Sequence, residues 1–340
     1  MSDERAVVSF DDLSGWLLEP LDRARAGLYR LAAPLLKGLY ANRERRVFWL
    51  GVFSVSTSLL FTAFVPLWLL SLGPVILGVP HLLADVRYLV VRPGLHRQWA
   101  FWLAVPALLA VGLGAPPAVG LLALFPAALA PQARGVGARV LVLLGATALV
   151  TVALRWELPF IVGLVHLHNV IAVGLWLLLR RRGPSGVATL GLIAAVAAFI
   201  LLGGVDPLVT LARGWEANAT GNRFDDFVAG AAPGVSGPWA QRLVLSFAFM
   251  QSVHYGVWLR LVPDDLRHRA APRPFKASWA ALRAELGVWP LAGFTLAALA
   301  IAAWGALDLH GARLGYLRLG AFHGYLELAV LAFFAVGRRA

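Results

Sequence analysis

The chain of 340 residues is 59% hydrophobic and only 14% charged, with a formal net charge of +12. Because soluble domains devote about a quarter of their residues to charged side chains, this composition excludes an ordinary soluble protein and indicates a polytopic membrane protein. The absence of cysteine excludes disulfides, thiolate metal ligands and iron–sulfur clusters, so any metal must be bound by nitrogen and oxygen.

Residues 1–46 form a polar N-terminal segment without the charged and apolar regions of a cleaved signal peptide, so we expect the first span to act as the signal. An amphipathic helix is predicted within it, because leucines recur there at helical spacing among basic residues. These leucines are Leu21, Leu28, Leu31, Leu35 and Leu39. The helix fits either the plane of the lipid headgroups or the surface of the protein's own cytoplasmic loops.

Residues 47–340 form the predicted transmembrane domain. A hydrocarbon core of about 30 Å requires roughly 20 apolar residues per helix. Ten stretches approach this length, with starts near Val47, Pro74, Trp99, Pro116, Gly137, Leu158, Val187, Trp239, Val288 and Leu317. The fourth stretch is short and flanked by prolines, as expected of a tilted or re-entrant segment. The sequence therefore predicts an all-α helical bundle of about ten spans.

The placement of basic residues predicts the orientation of the bundle, since cytoplasmic connections are enriched in Lys and Arg. With ten spans and cytoplasmic N- and C-termini, 24 of the 30 positive residues fall on the inner side and 6 on the outer side. The basic residues fall in short clusters between the apolar stretches. Membrane topology explains this placement better than nucleic-acid binding does, so no nucleic-acid partner is expected. We expect a multi-pass protein of a bacterial inner (cytoplasmic) membrane.

Two connections exceed the length that chain closure requires. The outer one covers about residues 206–238, and the inner one, which is basic and proline-rich, covers about residues 263–287. Connections of this length in a compact protein act as lids or binding elements, or they are plain surface segments. The sequence leaves both interpretations open.

Four predicted spans contain histidine with a second polar residue within one helical turn. The groups are His81 with Asp85, His166 with His168 and Asn169, His254 with Gln251, and His323 with Glu327. Ionisable groups are costly within a bilayer and persist mainly where they face a bundle interior and find partners. A functional site is the first interpretation, and hydrogen bonds between neighbouring helices are the alternative.

Residue spacing decides which side chains share a helix face. The pairs at i,i+4 and i,i+3 project from one face, whereas His166 and His168 diverge by about 200° and cannot both serve one small centre on a regular helix. One of the two is then a ligand and the other a supporting contact, and Asn169 shares the face of His166. Tyr255 beside His254 either positions a substrate or packs between helices.

Histidines with nearby carboxylates and without sulfur favour a non-haem Fe(II) centre, although other divalent metals that imidazole binds also fit. Metal-bound histidines usually donate the second ring N–H to a carboxylate or carbonyl, which is the role expected of Asp85 and Glu327. Gln251, His168 and Asn169 remain supporting contacts or alternative ligands.

Residues 78–90, GVPHLLADVRYLV, resemble the Gly-x-Pro-His-x-x-x-Asp signature of the Brp/Blh family of membrane carotene dioxygenases, which cleave β-carotene to retinal. The resemblance implies that His81 is an iron ligand and Asp85 a supporting polar residue. By the family's general pattern it also suggests His166, His254 and His323 as ligands. Leu82 stands where the family usually has Gly.

Two functional hypotheses follow. The first is a membrane oxidoreductase of the non-haem iron oxygenase kind, which acts on a lipophilic substrate such as a carotenoid or another isoprenoid. The second is a transporter or proton-conducting protein in which the His, Asp and Glu side chains form an intramembrane relay. Stoichiometric iron in the purified protein would favour the first.

Overall fold

A computed structural model describes residues 10–130, 135–180, 183–216, 220–267 and 271–337. Within these ranges the chain is all-helical, with no β-strand. Seven helical stretches are long and apolar enough to cross a membrane. They are Arg43–Phe64, Pro66–Val91, Val136–Arg155, Glu157–Leu179, Pro184–Leu201, Val288–Leu307 and Leu309–Val336. The class of a helical membrane protein is thus confirmed.

Helices α1 to α9 form the first part of the chain. Their bounds are α1 Phe10–Ala41, α2 Arg43–Phe64, α3 Pro66–Asp85, α4 Trp99–Trp102, α5 Val105–Gly112, α6 Pro117–Leu121, α7 Val136–Arg155, α8 Glu157–Leu179 and α9 Pro184–Leu201. A π-helical turn, Val86–Val91, continues α3, and a 3₁₀ stretch, Leu122–Leu129, continues α6. A further 3₁₀ turn covers Leu95–Arg97.

Helices α10 to α17 complete the chain. Their bounds are α10 Asp206–Leu211, α11 Phe224–Ala231, α12 Gly237–Gly256, α13 Val262–Asp265, α14 Phe275–Leu286, α15 Val288–Leu307, α16 Leu309–Gly320 and α17 Phe322–Val336. A second π-helical turn, Val257–Leu261, joins α12 to α13. The 206–238 and 263–287 connections thus contain short helices of their own.

Every predicted span corresponds to helix, but three of the ten are not among the seven long apolar helices. Trp99–Gly112 and Pro117–Leu129 are shorter apolar helices. The third, α12, has polar residues along its 20-residue length. The second predicted span begins earlier than expected, because the chain breaks only at Val65 and Pro66 starts α3 at a position where its missing N–H costs nothing. The ten-span count therefore remains a prediction.

The amphipathic N-terminal helix is α1, which contacts both α2 and α14. The Asp22 carboxylate accepts hydrogen bonds from the backbone N–H groups of Phe275 and Lys276, at 2.6 and 3.0 Å, and so caps the start of α14. Leu21, Leu28 and Leu31 remain exposed. One side of α1 thus packs on the chain, and these three leucines are free to contact lipid or another protein surface.

The interior of the bundle lies between α3, α8, α12, α16 and α17. Helix α3 packs against α12, α15 and α16, while α17 and α12 both contact α8. Glycine allows the closest of these approaches. A Cβ atom at Gly78 would overlap the Tyr316 ring, so this glycine lets α16 lie directly against α3. These helices carry the polar residues that the sequence places at membrane depth.

Candidate metal centre

Four histidines from four helices meet in the interior. His81 comes from α3, His168 from α8, His254 from α12 and His323 from α17. One ring nitrogen of each lies within 4.8 Å of the corresponding atoms of the other three. His81 and His254 are buried, and the other two are half-buried. The four imidazoles lie close enough together to bind one metal ion.

The ring nitrogens face one another in two pairs. His81 Nε2 lies 2.9 Å from His254 Nε2, and His168 Nε2 lies 3.0 Å from His323 Nε2. Metal–nitrogen bonds of about 2.0–2.1 Å place adjacent ligands of one ion roughly 3 Å apart. Within each pair the observed spacing therefore fits adjacent ligands of one ion.

Two buried carboxylates flank the histidines. Glu327 Oε2 accepts a hydrogen bond from His168 Nδ1 at 2.8 Å, as the sequence predicts for a carboxylate that orients a ligand. Asp85 Oδ2 lies 3.2 Å from His81 Nε2, the same nitrogen that faces His254. We expected Asp85 to accept the second ring N–H of His81. Instead, Asp85 lies beside the ring nitrogen that faces the other histidines.

The hydrogen bonds fix where the lone pairs point. The Gly320 carbonyl can only accept, so His323 Nδ1 donates to it, and His168 Nδ1 donates to the Glu327 carboxylate. In neutral rings this leaves two bare Nε2 lone pairs facing each other at 3.0 Å. A cation held by both rings would turn this repulsion into attraction.

The charge balance also fits a cation. Neither oxygen of Asp85, nor Oε1 of Glu327, has a hydrogen-bond partner among the described residues, and both carboxylates are 0% exposed. A buried charge without a partner is strongly destabilising. A divalent ion held by the four imidazoles would provide the missing counter-charge beside Asp85.

His166 is not part of this cluster, and the ligand role suggested for it passes to His168. His166 Nε2 donates to the carbonyl of Ala231 at 2.8 Å, and its ring packs against Phe247. The divergence of the His166 and His168 side chains is confirmed, but it is His168 that points into the cluster. Asn169 donates to the Val165 carbonyl of its own helix and lines the same cavity as three of the histidines.

Aromatic and amide side chains surround the centre. The Tyr255 ring lies 5.3 Å from that of His81, and Gln251 Nε2 donates to the Tyr255 hydroxyl at 3.4 Å. Gln251 therefore supports Tyr255 rather than the histidines. Tyr255 also lines the cavity beside the cluster.

A cavity of about 280 Å³ opens beside the cluster. His168, His254 and His323 form part of its wall, and most of the remaining wall is apolar. Phe227, Gly230 and Ala231 of α11 also line it, so the 206–238 connection contributes to the wall. Its volume is close to the lower end of the range for small-molecule sites.

The cavity also contains polar residues that sequence reasoning missed, namely Arg313 and Tyr316 of α16. We placed the last span from about Leu317, which left both residues in a connection. The helix begins at Leu309 instead. The available signal was an arginine one turn before a tyrosine, directly ahead of the last apolar run.

Comparisons with known proteins leave the site to be interpreted from its own geometry. No protein-family model, no curated protein and no solved structure matches the chain significantly.

Proposed function

We propose that this chain is an integral membrane oxidoreductase with a non-haem iron centre that acts on a lipophilic substrate. The observation that carries the proposal is the cluster of four histidines, whose nitrogens lie within 4.8 Å of one another, beside a largely apolar cavity. We further propose that it works in a bacterial cytoplasmic membrane with both termini inside, as the distribution of basic residues favours.

The donor set supports iron among the redox metals. His81, His168, His254 and His323 offer imidazole nitrogen and Asp85 offers oxygen, while cysteine is absent from the chain. Iron(II) bound there would supply the activation of O2 for attack on the substrate. The residues of the chain hold and orient the site: Glu327 fixes the His168 ring, and burial keeps bulk water from it.

Carotenoids or other isoprenoids are the proposed substrates. A cavity within a helical bundle is most easily reached by a lipid-soluble molecule, and Leu164, Phe247 and Leu317 give it apolar walls. The GVPHLLAD segment supports the choice, because His81 and Asp85 stand at the positions that resemble the carotene dioxygenase signature.

The test combines metal analysis with substrate conversion. Protein purified anaerobically should contain about one iron per chain. Co-expression with a carotenoid pathway should consume the pigment and yield an aldehyde or another oxygenated product, dependent on iron and O2. Fully metallated protein that leaves the pigment unchanged would contradict carotenoid cleavage.

A proton relay is a second candidate, favoured by one observation. Two chains of close polar contacts cross the site, one from Asp85 through His81 to His254 and one from Glu327 through His168 to His323. Such chains can transfer protons within a membrane. Metal-free protein that conducts protons in liposomes would support the relay and contradict the iron centre.

A further inference from the structure

Arg313 is a buried cation in the wall of the cavity. Only 8% of its surface is exposed, and its guanidinium lies over the Phe227 ring, 4.1 Å from the ring centroid. A guanidinium stays charged in proteins, and burying it is costly unless an anion or several acceptors surround it. The contacts of Arg313 therefore show whether the folded chain already satisfies it.

The chain itself does not satisfy Arg313. Among the described residues its one hydrogen-bond acceptor is Asn222 Oδ1, at 3.5 Å from Nη1, and that oxygen also accepts from His310 Nδ1 at 2.9 Å. Nε has no partner, and no described carboxylate forms an ion pair with Arg313. The acidic residue Asp226 lies near enough for its charge to favour the cation, but it forms no ion pair with Arg313 and accepts from the Arg223 backbone N–H at 2.6 Å.

The cavity thus has two chemically different parts. Its metal-binding part is formed by His168, His254 and His323, and its cationic part by Arg313 with Tyr316 one turn away. The backbone positions of Arg313 and His323 are ten residues apart in one helical stretch, about 15 Å along its axis. Apolar side chains line much of the cavity besides.

We propose that the cavity binds an amphiphile with a carboxylate at one end, held by Arg313, and an apolar chain that extends to the four histidines. This inference rests on the proposed function for the reaction at the histidines, whereas the binding of the amphiphile does not depend on that function. A planar guanidinium pairs with a carboxylate through two parallel hydrogen bonds, and the buried Nε of Arg313, which has no partner among the described residues, is available for one of them. The substrate class is then an acidic polyene or fatty acid rather than a hydrocarbon.

Binding of a fluorescent polyene acid tests the inference without turnover. Full-length protein in detergent micelles, stripped of metal or loaded with zinc, is titrated with trans-parinaric acid and with its methyl ester. The wild type should bind the acid at least 10-fold more tightly than the ester. Arg313→Gln should remove that preference, because its amide keeps a polar group but loses the charge.

Arg318→Gln is the matched control, since Arg318 is exposed on the same helix. It should keep the wild-type preference for the acid. Because the acid and the ester are compared on the same variant, a loss of folded protein affects both measurements equally and leaves the ratio of the two affinities unchanged. Equal binding of acid and ester by the wild type, or an equal effect of the two substitutions, would overturn the proposal.

Competition on the wild type makes the result independent of any variant. Oleic acid should displace the probe, and methyl oleate should not. Displacement by oleoyl lysophosphatidic acid but not by oleic acid would assign Arg313 to a lipid phosphate and overturn the carboxylate proposal. Absence of iron from the protein would defeat the proposed function while leaving these binding results intact, so the two failures are distinguishable.

Discussion

The histidines divide into two pairs that differ in how their rings are held. His168 and His323 each donate Nδ1–H to a fixed acceptor, Glu327 and the Gly320 carbonyl. By contrast, Nδ1 of His81 and of His254 has no partner among the described residues. The first pair is therefore held in one tautomer with its lone pairs directed at the site, whereas the second pair would depend on a bound ion for its orientation.

A comparison of two neighbouring histidines tests the assignment of the site. His168→Ala should remove most of the bound metal, because it deletes one ligand and frees the Glu327 carboxylate. His166→Ala should leave metal content near that of the wild type, because His166 bonds to the Ala231 carbonyl outside the cluster. Elemental analysis of both purified variants gives the answer. Equal metal loss in the two variants would refute the four-histidine centre.

The sequence predicted three of the four clustered histidines from one argument, the cost of histidine at membrane depth. It could not decide between His166 and His168, because both lie in the same apolar run and only the rotation of α8 in the bundle separates them. That rotation depends on which helices pack on each side of α8. Asn169 favoured the face of His166, yet Asn169 satisfies itself on its own helix.

At the scale of elements, two of the four helices depart from α geometry directly after their site residues. A π-helical turn starts at Val86, next to Asp85, and another starts at Val257, three residues after His254. Single π turns inside α-helices occur frequently at functional sites. The apolar pattern cannot reveal such turns, because they shift the register without changing the residue types.

One carboxylate links helix α14 of the 263–287 connection to the end of the α3 stretch. Glu285 of α14 forms salt bridges with Arg87 at 2.8 Å and with Arg92 at 2.9 Å. Partial burial raises the pKa of Glu285, but hydrogen bonds and charges from both arginines outweigh it and lower the pKa to about 2. Glu285 thus stabilises the fold while it is ionised.

The lowered pKa predicts a pH-dependent contribution to stability. Since the folded pKa lies below the ordinary value of 4.5, the contribution is complete above that value and is lost as pH falls toward 2. Glu285→Gln should therefore lower the free energy of unfolding by about 1 kcal/mol at pH 7 and by less at pH 3. The magnitude is small because solvent screens this partly exposed ion pair. Thermal unfolding in detergent measures this, with the exposed Glu216→Gln as control. An effect equal at both pH values would contradict the role of ionised Glu285.

Over the whole molecule, the site joins residues far apart in the chain. His81 and Glu327 belong to one cluster although 246 positions separate them, as their numbers show. The sequence supplied the approximate position of every long helix, because each is an apolar run of suitable length. It could not supply which helices are neighbours, since lipid-facing and buried apolar residues look alike in composition. The cavity and its arginine were missed for that reason.

Helix α12 is the decisive element for the topology. It carries His254 but is not among the seven long apolar helices, because its polar side chains serve the interior. Together with its continuation to Asp265 it comprises the residues 237–265, which at 1.5 Å per residue exceed a hydrocarbon core of about 30 Å. Length thus permits α12 to cross, in agreement with the span predicted to start near Trp239, and its polar residues are the reason that it is not among the seven long apolar helices.

Labelling of single introduced cysteines tests this crossing in a chain that has no cysteine of its own. Ser236 and Ala271 are both exposed and lie before and after α12 with its continuation. In intact cells an impermeant thiol reagent should label Ser236→Cys and not Ala271→Cys, because the first is predicted outside and the second in the cytoplasm. Both variants should be labelled after permeabilisation, which controls for reactivity. Labelling of both in intact cells would show that the chain between them does not cross, and reversed labelling would invert the orientation while keeping the crossing.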